Sequence, residues 1–282
     1  MPPQKKKSFL PSLGASLRTR TPGELTVGVL QPFFPFAFRR GNRWHGFEID
    51  ILRAFCKEVG LRLRVVGYVR PTLRFRSNVK AWKQARAPCE IDVDIAVGGK
   101  SLDNGAYEVM VTASVPYLKV SRTILSRASD PVRVFPNDVS GTIAGRMGST
   151  GFEDALGRLH EKFGERSFDM VVPEEHLKGN RFDDVSEHKS LDALRKGEIQ
   201  GLMRGDVSAR ALAAAHPGEF VVSKSWEQDA TSPELIVFLF SADSHVAPQL
   251  SAFMSMNQSA VRRMVTAKYE FGTSGRKRAS RA

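Results

Sequence analysis

The segment that most constrains the fold of this chain lies close to its amino terminus. It begins with an alternating, β-branched run at 25–29, a pattern typical of a strand. A loop rich in phenylalanine follows at 31–38, where Pro32 and Pro35 fix their own φ angles and keep the residues before them out of helical conformation. Residues 48–59 then carry apolar side chains at helical spacing. The pattern predicts a strand, an extended aromatic loop and a helix in immediate succession.

The same alternation of apolar runs and helical patterns continues along the chain. A nearly continuous apolar run such as 92–97 is typical of a buried parallel strand. Strands that alternate with helices predict an α/β fold with a mostly parallel sheet. The other predicted strands are 61–68, 117–126, 141–144, 168–172, 199–203, 220–222 and 235–240. The other predicted helices are 79–86, 152–163, 190–196, 208–215 and one or two within 246–271.

The distribution of charge argues against a nucleic-acid partner. The chain has 282 residues and a formal net charge of +12, which on its own would suit such a partner. Residues 1–23 carry five basic side chains and no acid, and residues 272–282 carry four basic side chains and no acid. Most of the excess charge therefore lies in two short ends. We expect both ends to be disordered and solvated, and we expect no nucleic-acid partner.

The cysteines, histidines and apolar segments argue against a disulfide-rich, a metal-binding and a membrane-spanning protein. Cys56 and Cys89 form no disulfide framework, although a single bridge between them stays open. The six histidines are scattered without metal-ligand spacing, so neither a metal nor a cofactor is expected. No run approaches the roughly 20 apolar residues of a membrane span. The basic start is followed by a segment that Pro11 and Gly14 interrupt, which makes a poor secretory signal.

The strand, aromatic loop, hairpin and helix, with a G-F-x-x-D-I motif at 46–51, resemble the opening of the type 2 periplasmic binding proteins. The resemblance is to the bacterial extracellular solute-binding protein family 3, which binds amino acids and related solutes, and it covers residues 24–271. It implies two lobes, each a mixed, mostly parallel sheet flanked by helices, joined by two crossover hinge strands. Lobe one is expected at 24–118 plus 234–271, lobe two at 119–233, and disordered basic segments at 1–23 and 272–282.

Within this fold the likeness is nearest to the cyclohexadienyl dehydratase branch, whose members are enzymes. It lies in residues 95–101, in the V-P-Y-L run at 115–118, and in Ala209-Arg210 followed by His216-Pro217. That branch carries a glutamate as proton donor at the position of Ser208. A serine without a base cannot act as a general acid near neutral pH. We therefore identify no catalytic residue, and a prephenate or arogenate lyase remains the alternative.

The resemblance implies four ligand-binding residues in lobe one. Phe33 falls where the family places an aromatic ring over the ligand, and a ring there can stack or attract a cation. Gly99 and Ser101 match the motif that presents a carbonyl and a hydroxyl to the polar head of the ligand. Trp82 is a further candidate. The family's carboxylate-binding arginine is replaced by Ala106, which removes a contact of about 1.5–3 kcal/mol.

The resemblance places the opposing candidates in lobe two. Gly148, Ser149 and Thr150 stand at a helix start, where free N–H groups favour an anion, although serine and threonine are also ordinary helix caps. Arg146 stands where several relatives carry a lysine and could supply the missing positive charge. Asp206 lies next to the position of the acid that takes the ligand's amino group, and the alternative is a surface aspartate.

These residues predict a solute-binding protein that closes two lobes around a small polar or anionic ligand, such as an amino acid or organic acid. Phe33 and the turn at 148–151 are expected on opposite walls of one cleft. The resemblance implies a role in uptake or sensing, with an ABC transporter membrane component as the partner. It also implies that the protein is a monomer in the periplasm. Because the secretory signal is poor, a cytoplasmic location is the alternative. Besides the lyase, a regulatory relative that has lost its ligand is a second alternative.

Overall fold

The computed structural model describes residues 17–29, 33–66, 93–101, 111–146, 150–173, 177, 186–226, 234–241 and 244–269. Within these ranges the strands form a six-stranded sheet, a five-stranded sheet and a two-stranded hairpin. Trp82, Cys89, Ala106, Gly148 and Ser149 lie outside the described residues.

The first sheet has the strand order β4-β1-β5-β13-β6, and β7 pairs with β13 beside this path. The strands β1, β4 and β5 are parallel, whereas β13 is antiparallel to its neighbours. Its strands are β1 (Glu24–Val29), β4 (Arg62–Val66), β5 (Ile95–Ser101), β6 (Val111–Ala113), β7 (Leu118–Val120) and β13 (Glu234–Ser241). Three helices pack against its core: α1 (Phe47–Val59), α6 (Val246–Met256) and α7 (Gln258–Tyr269).

The second sheet has the order β10-β9-β11-β8-β12, with β9, β10 and β11 parallel and β8 antiparallel to both of its neighbours. Its strands are β8 (Arg122–Arg127), β9 (Ile143–Gly145), β10 (Val171–Pro173), β11 (Gly201–Gly205) and β12 (Phe220–Val222). Its helices are α2 (Thr150–Phe163), α3 (Ser167–Met170), α4 (Ser186–Lys196) and α5 (Asp206–Ala215), with a 3₁₀ turn at Gly164–Arg166.

A hairpin leads from the aromatic loop to α1. It consists of β2 (Phe38–Arg40) and β3 (Arg43–His45), joined by a two-residue turn. Gly46 then starts α1 with a φ of 120°, and a Cβ atom there would lie 2.0 Å from the carbonyl oxygen of Phe36. Only glycine fits this close approach, which explains the glycine that opens the G-F-x-x-D-I motif.

Two neighbouring segments carry the chain between the sheets. β7 pairs antiparallel with the start of β13, and beyond it Arg122 and Trp226 exchange two backbone hydrogen bonds of 2.8 and 2.9 Å. The chain thus leaves the first sheet at β7 and returns to it at β13. Two mixed sheets with flanking helices and paired crossover strands confirm the predicted two-lobe α/β fold.

Several local predictions need correction. The strand predicted at 168–172 is a short helix at Ser167–Met170 followed by β10, and the strand predicted at 199–203 lies at Gly201–Gly205. The segment predicted to be disordered up to residue 23 is packed from Leu17 onward. Leu17 contacts the core of the first sheet, and the backbone N–H of Arg20 donates to Asp94. A single apolar residue and a long-range backbone contact order this stretch, and neither has a local pattern.

Cys56 is a free thiol inside the first core, so the bridge that the sequence left open is not formed. Burial, and secondarily the charge of Asp94, raises the pKa of this thiol to about 12. Of the helices in the described part of the chain, none has both the length and the apolar character that crossing a membrane requires.

Candidate functional site

The parallel strands of both sheets end where the sequence placed its candidate ligand residues. In open α/β sheets, ligands bind beyond the carboxyl ends of the strands. In the first sheet, Phe33 lies beyond the end of β1, and Gly99 and Ser101 lie at the carboxyl end of β5. We call these residues and their loop the first edge. In the second sheet, Arg146 lies after β9 and Asp206 lies after β11, and we call these residues the second edge.

Phe33 lies on a tight loop of the first edge. Its N–H and C=O both pair with the backbone of Ala37, at 2.7 and 3.0 Å. Its ring stacks on Phe36, with 5.0 Å between ring centroids. A Cβ atom at Gly99 would lie 2.8 Å from the Phe33 ring, so the ring can lie this close to β5 only because residue 99 is glycine. The structure therefore brings together Phe33 and Gly99, two of the residues that the sequence resemblance names as ligand candidates.

A bulge in β5 shapes the first edge. The pairing of β5 with β13 shifts register there, and Gly98 and Gly99 have φ values of 124° and 61°. The N–H groups of the two glycines donate to the two carboxylate oxygens of Glu48, at 2.9 and 3.1 Å. Glu48 is fully buried. The amides of this bulge are therefore held by a side chain of α1.

Glu48 also connects the first edge to the crossover. The hydroxyl of Tyr117, which stands just before β7, donates to a Glu48 carboxylate oxygen. The backbone N–H of Glu48 donates to Phe36 in the aromatic loop. Burial, followed by the charge and hydrogen bond of Glu48, raises the pKa of Tyr117 well above 10.0. One buried carboxylate thus joins the aromatic loop, the bulge and the crossover.

Sequence reasoning missed Glu48, although one signal was present. The residue lies in the first turn of a helix between Phe47 and Ile49, which are both fully buried. A carboxylate between two core residues must be hydrogen-bonded, because an unpaired buried charge is too costly. Its partners lie 50, 51 and 69 residues away in the chain, so no local pattern could name them.

Asp206 occupies the first position of α5 and contacts the crossover directly. Its backbone N–H donates to the carbonyl of Ser121 at 2.8 Å, and its Oδ1 accepts the N–H of Ser121 at 3.1 Å. The other carboxylate oxygen lies 3.9 Å from Arg210. Ser121 separates β7 from β8. Asp206 therefore contacts the crossover segment between the two sheets.

Two arginines give the second edge a positive character. Parallel pairing of β9 with β11 sets Ala144 opposite Leu202, so Arg146 and Arg204 follow at equivalent positions two residues later. Arg146 is exposed, and Arg204 is partly buried and donates to the carbonyl of Met203 at 2.9 Å. Arg146 precedes the start of α2 by four residues in the chain, and the dipole of that helix also favours an anion at its start.

A buried ion-pair network anchors α2 to both crossover segments. Arg122 is only 3% exposed and lies 3.7 Å from Asp154 of α2 and 3.4 Å from Glu234 of β13. Asp154 also accepts a 2.7 Å hydrogen bond from the indole of Trp226. A Cβ atom at Gly151 would lie 3.7 Å from the Arg122 side chain. The network fixes where α2 begins relative to the crossover.

The two edges touch each other directly. The hydroxyl of Ser208, in the first turn of α5, donates to the carbonyl of Phe34 at 2.8 Å. The Phe34 ring packs against the core of the second sheet, and Val207 packs against the core of the first. The aromatic loop of the first edge therefore contacts the helix that starts at Asp206.

The other candidates are placed as follows. Ser101 ends β5 and is buried, and Thr150 is the first residue of α2. Trp82, Gly148 and Ser149 lie outside the described residues, so the predicted closeness of Phe33 to the 148–151 turn stays a prediction. Among the residues that the structure describes, no group of three or more histidine, cysteine or acidic side chains could hold a metal ion.

Neither protein-family models nor curated proteins match this chain, but solved structures do. ArtJ, the arginine-, lysine-, histidine-binding protein of Geobacillus stearothermophilus, is 17% identical with a TM-score of 0.62, over 89% of this chain and 97% of that one. AbpA of Streptococcus pneumoniae, an amino acid ABC transporter substrate-binding protein, is 15% identical with a TM-score of 0.62, over 88% and 95%. The ancestral amino acid-binding protein AncCDT-1, a precursor of cyclohexadienyl dehydratase, is 18% identical with a TM-score of 0.62, over 88% and 95%.

The chain therefore has the fold of the type 2 periplasmic binding proteins, as the sequence resemblance predicted. In its particular form this is the fold of the amino-acid-binding proteins, the solute-binding family 3 fold. At identities below 20% the similarity shows the fold but does not identify a ligand.

Proposed function

We propose that this chain is a solute-binding protein that closes its two lobes around a small polar or anionic ligand. One observation carries the proposal: the aromatic loop beyond β1 contacts the first turn of α5 beyond β11, through Ser208 and Phe34. That contact joins the carboxyl ends of both sheets, where ligands of such folds bind. A ligand that contacts both edges would favour the closed arrangement by its differential affinity for it.

The charges of the second edge favour a ligand with a carboxylate or another anionic group. Arg146 and Arg204 supply positive charge at the carboxyl ends of β9 and β11. Asp206, the acid expected to take an amino group, has one carboxylate oxygen engaged by Ser121. An organic acid or an amino acid with an additional acidic group fits this balance better than a purely cationic amino acid does.

The first edge offers the ligand an apolar surface. The Phe33 ring is held between Phe36 and the Gly98–Gly99 bulge, and it is partly buried. A ring held in this way loses little conformational freedom when a ligand packs on it, which favours affinity. Phe33 would therefore contact the aliphatic or planar part of the ligand while the second edge binds its anionic end.

The test begins with native mass spectrometry of the purified full chain, which detects a small molecule that is retained through purification. Calorimetry follows with L-glutamate, L-arginine, succinate and any retained compound. We expect Phe33→Ala and Arg146→Ala each to weaken binding by roughly tenfold or more, equivalent to about 1.4 kcal/mol. Arg262→Ala, an exposed arginine of α7, is the matched control and should bind as the natural chain does. Binding that neither variant weakens would contradict the proposal.

Uptake and sensing both remain part of the proposal. AbpA is by name an ABC transporter substrate-binding protein, and the periplasmic domain of the BvgS protein of B. pertussis has the same fold at a TM-score of 0.62, where this chain covers 44% of it. A partner membrane component would be found by co-purification from membranes in the presence and absence of the identified solute. Solute-dependent capture of a transporter subunit supports uptake.

A lyase of the cyclohexadienyl dehydratase type is a weaker alternative, suggested by the AncCDT-1 likeness. Ser208, at the position of the proton donor of that branch, is buried and already donates its hydroxyl hydrogen to Phe34. A hydroxyl so engaged is a poor general acid. We expect no phenylpyruvate to form when the full chain is incubated with prephenate, and its formation would establish the alternative.

A further inference from the structure

The hairpin formed by residues 38–45, which we call the basic hairpin, carries three arginines that the solute-binding proposal does not use. Arg39, Arg40 and Arg43 are all exposed. Among the residues that the structure describes, none of the three forms an ion pair with a carboxylate. Asp50, near the start of the adjoining helix, pairs with Arg53 instead. A net charge of three is therefore concentrated on eight residues.

The register of the hairpin places two of these charges against each other. Arg40 and Arg43 are directly opposite across the two strands, next to the turn that joins them. Like charges at directly opposed positions destabilise a strand pair. A neutralising anion outside the hairpin would relieve that repulsion, so the arrangement favours an anionic partner over the isolated hairpin.

Aromatic rings hold two of the guanidinium groups in place. The Arg39 guanidinium lies 5.6 Å from the ring centre of Trp44, and that of Arg40 lies 5.5 Å from the ring centre of Phe38. Arg53 fixes the hairpin to α1 by donating to the carbonyl of Trp44 at 2.8 Å. A guanidinium stacked on a ring still presents its N–H edge outward, and that edge matches a carboxylate bidentately.

We propose that the basic hairpin docks an acidic segment of a protein partner. The fork geometry of arginine suits carboxylates, and three cations suit a short run of acidic side chains. A nucleic-acid duplex site of 6–10 phosphate contacts would need about twice as many cations. The turn residues Gly41 and Asn42 are polar and small, so the tip offers no apolar side chain for insertion into a bilayer. This inference does not depend on the identity of the solute.

The experiment measures binding of a fluorescein-labelled deca-glutamate peptide to the full chain by anisotropy, at about 50 mM salt so that screening is modest. The triple variant Arg39→Glu, Arg40→Glu, Arg43→Glu is compared with Arg133→Glu, Arg262→Glu, Arg263→Glu. The control arginines are also exposed, and the change in net charge is the same. We expect the hairpin variant to bind roughly tenfold or more weakly, and the control to change by less than about twofold.

The single variant Arg43→Glu separates docking from folding. It creates an opposite-charge pair with Arg40 across the strands, so its melting temperature should equal or exceed that of the natural chain while its affinity for the peptide falls. Equal loss of affinity in the control triple variant would overturn the proposal, as would no binding to the natural chain. Tighter, hairpin-dependent binding to single-stranded RNA or to phosphatidylglycerol vesicles would overturn it too. Calorimetry with the solute on the same variants keeps this result separate from the solute-binding proposal.

Discussion

The two edges of the candidate cleft are built in opposite ways. The first edge is held by a single buried carboxylate, Glu48, which accepts hydrogen bonds from Gly98, Gly99 and Tyr117. The second edge presents Arg146 to solvent, and its other polar group, Asp206, contacts the crossover at Ser121. The first edge is therefore a preformed apolar surface, and the second supplies charge next to the hinge.

The difference suits the proposed closure of the two lobes around a solute. A preformed surface costs little ordering when the ligand binds, whereas charges near a crossover can respond to a ligand by moving with the lobe. We expect substitutions of the buried groups that support the first edge to have the largest effect on stability, whereas Phe33, which would contact the solute, should affect affinity. Substitutions at the second edge should mainly affect affinity and closure.

The largest effect is expected from Glu48→Ala. The substitution leaves two backbone N–H groups and the Tyr117 hydroxyl without their acceptor in a buried site, and each such loss costs about 1–3 kcal/mol. We expect the free energy of unfolding in urea to fall by about 3–5 kcal/mol. Glu153→Ala, an exposed glutamate of α2, should change it by less than about 0.5 kcal/mol. Equal effects would remove the distinction between the edges.

A second test is Gly99→Ala, which attacks the contact between the bulge and Phe33. The backbone at 99 has a φ of 61°, and the new methyl would lie 2.8 Å from the Phe33 ring. The left-handed conformation alone costs about 1–2 kcal/mol for a residue other than glycine. We expect that loss in chemical denaturation together with weaker solute binding. Gly157→Ala, in α2 with open space around it, should instead stabilise the chain by roughly 0.5–1 kcal/mol.

Tyr117→Phe sharpens the comparison through its pH dependence. The raised pKa of Tyr117 means that the folded chain keeps this proton when the unfolded chain loses it, so the stability that it contributes is complete below pH 10.0 and falls as pH rises further. The variant should lose about 1–2 kcal/mol near neutral pH. It should also lack this part of the alkaline decline. Cys56, whose pKa is about 12, titrates in both chains and cancels in the difference. If the free energies of unfolding of the variant and of the natural chain, measured in urea, fall in parallel above pH 10.0, the role of Tyr117 is contradicted.

The smallest effect is expected from Ser208→Ala, which removes the hydrogen bond between the edges at Phe34. The free energy of unfolding should fall by about 0.5–1.5 kcal/mol. The radius of gyration from X-ray scattering should rise slightly without solute, because one contact that joins the lobes is lost. Ser259→Ala, an exposed serine of α7, should change neither quantity. A variant with unchanged scattering and stability would show that this contact does not hold the edges together.

The sequence could predict the features that depend on local pattern. The strand at 25–29, the aromatic loop and the G-F-x-x-D-I helix follow from alternation, proline and helical spacing, whereas the contact of Phe33 with Gly99 was not predicted. The role of Glu48 could not be predicted, because its partners are far away in the chain. The same holds for the contact of Asp206 with Ser121, which spans 85 residues and depends on where the crossover passes.

The most direct test of the account is a crystal structure of the full chain with the solute that calorimetry identifies. We expect the solute to lie between the two edges, with its apolar part on the Phe33 ring and its anionic group within hydrogen-bonding distance of Arg146 or the start of α2. A solute that contacts residues of only one lobe, or that binds away from both edges, would contradict the central claim that the lobes close around it.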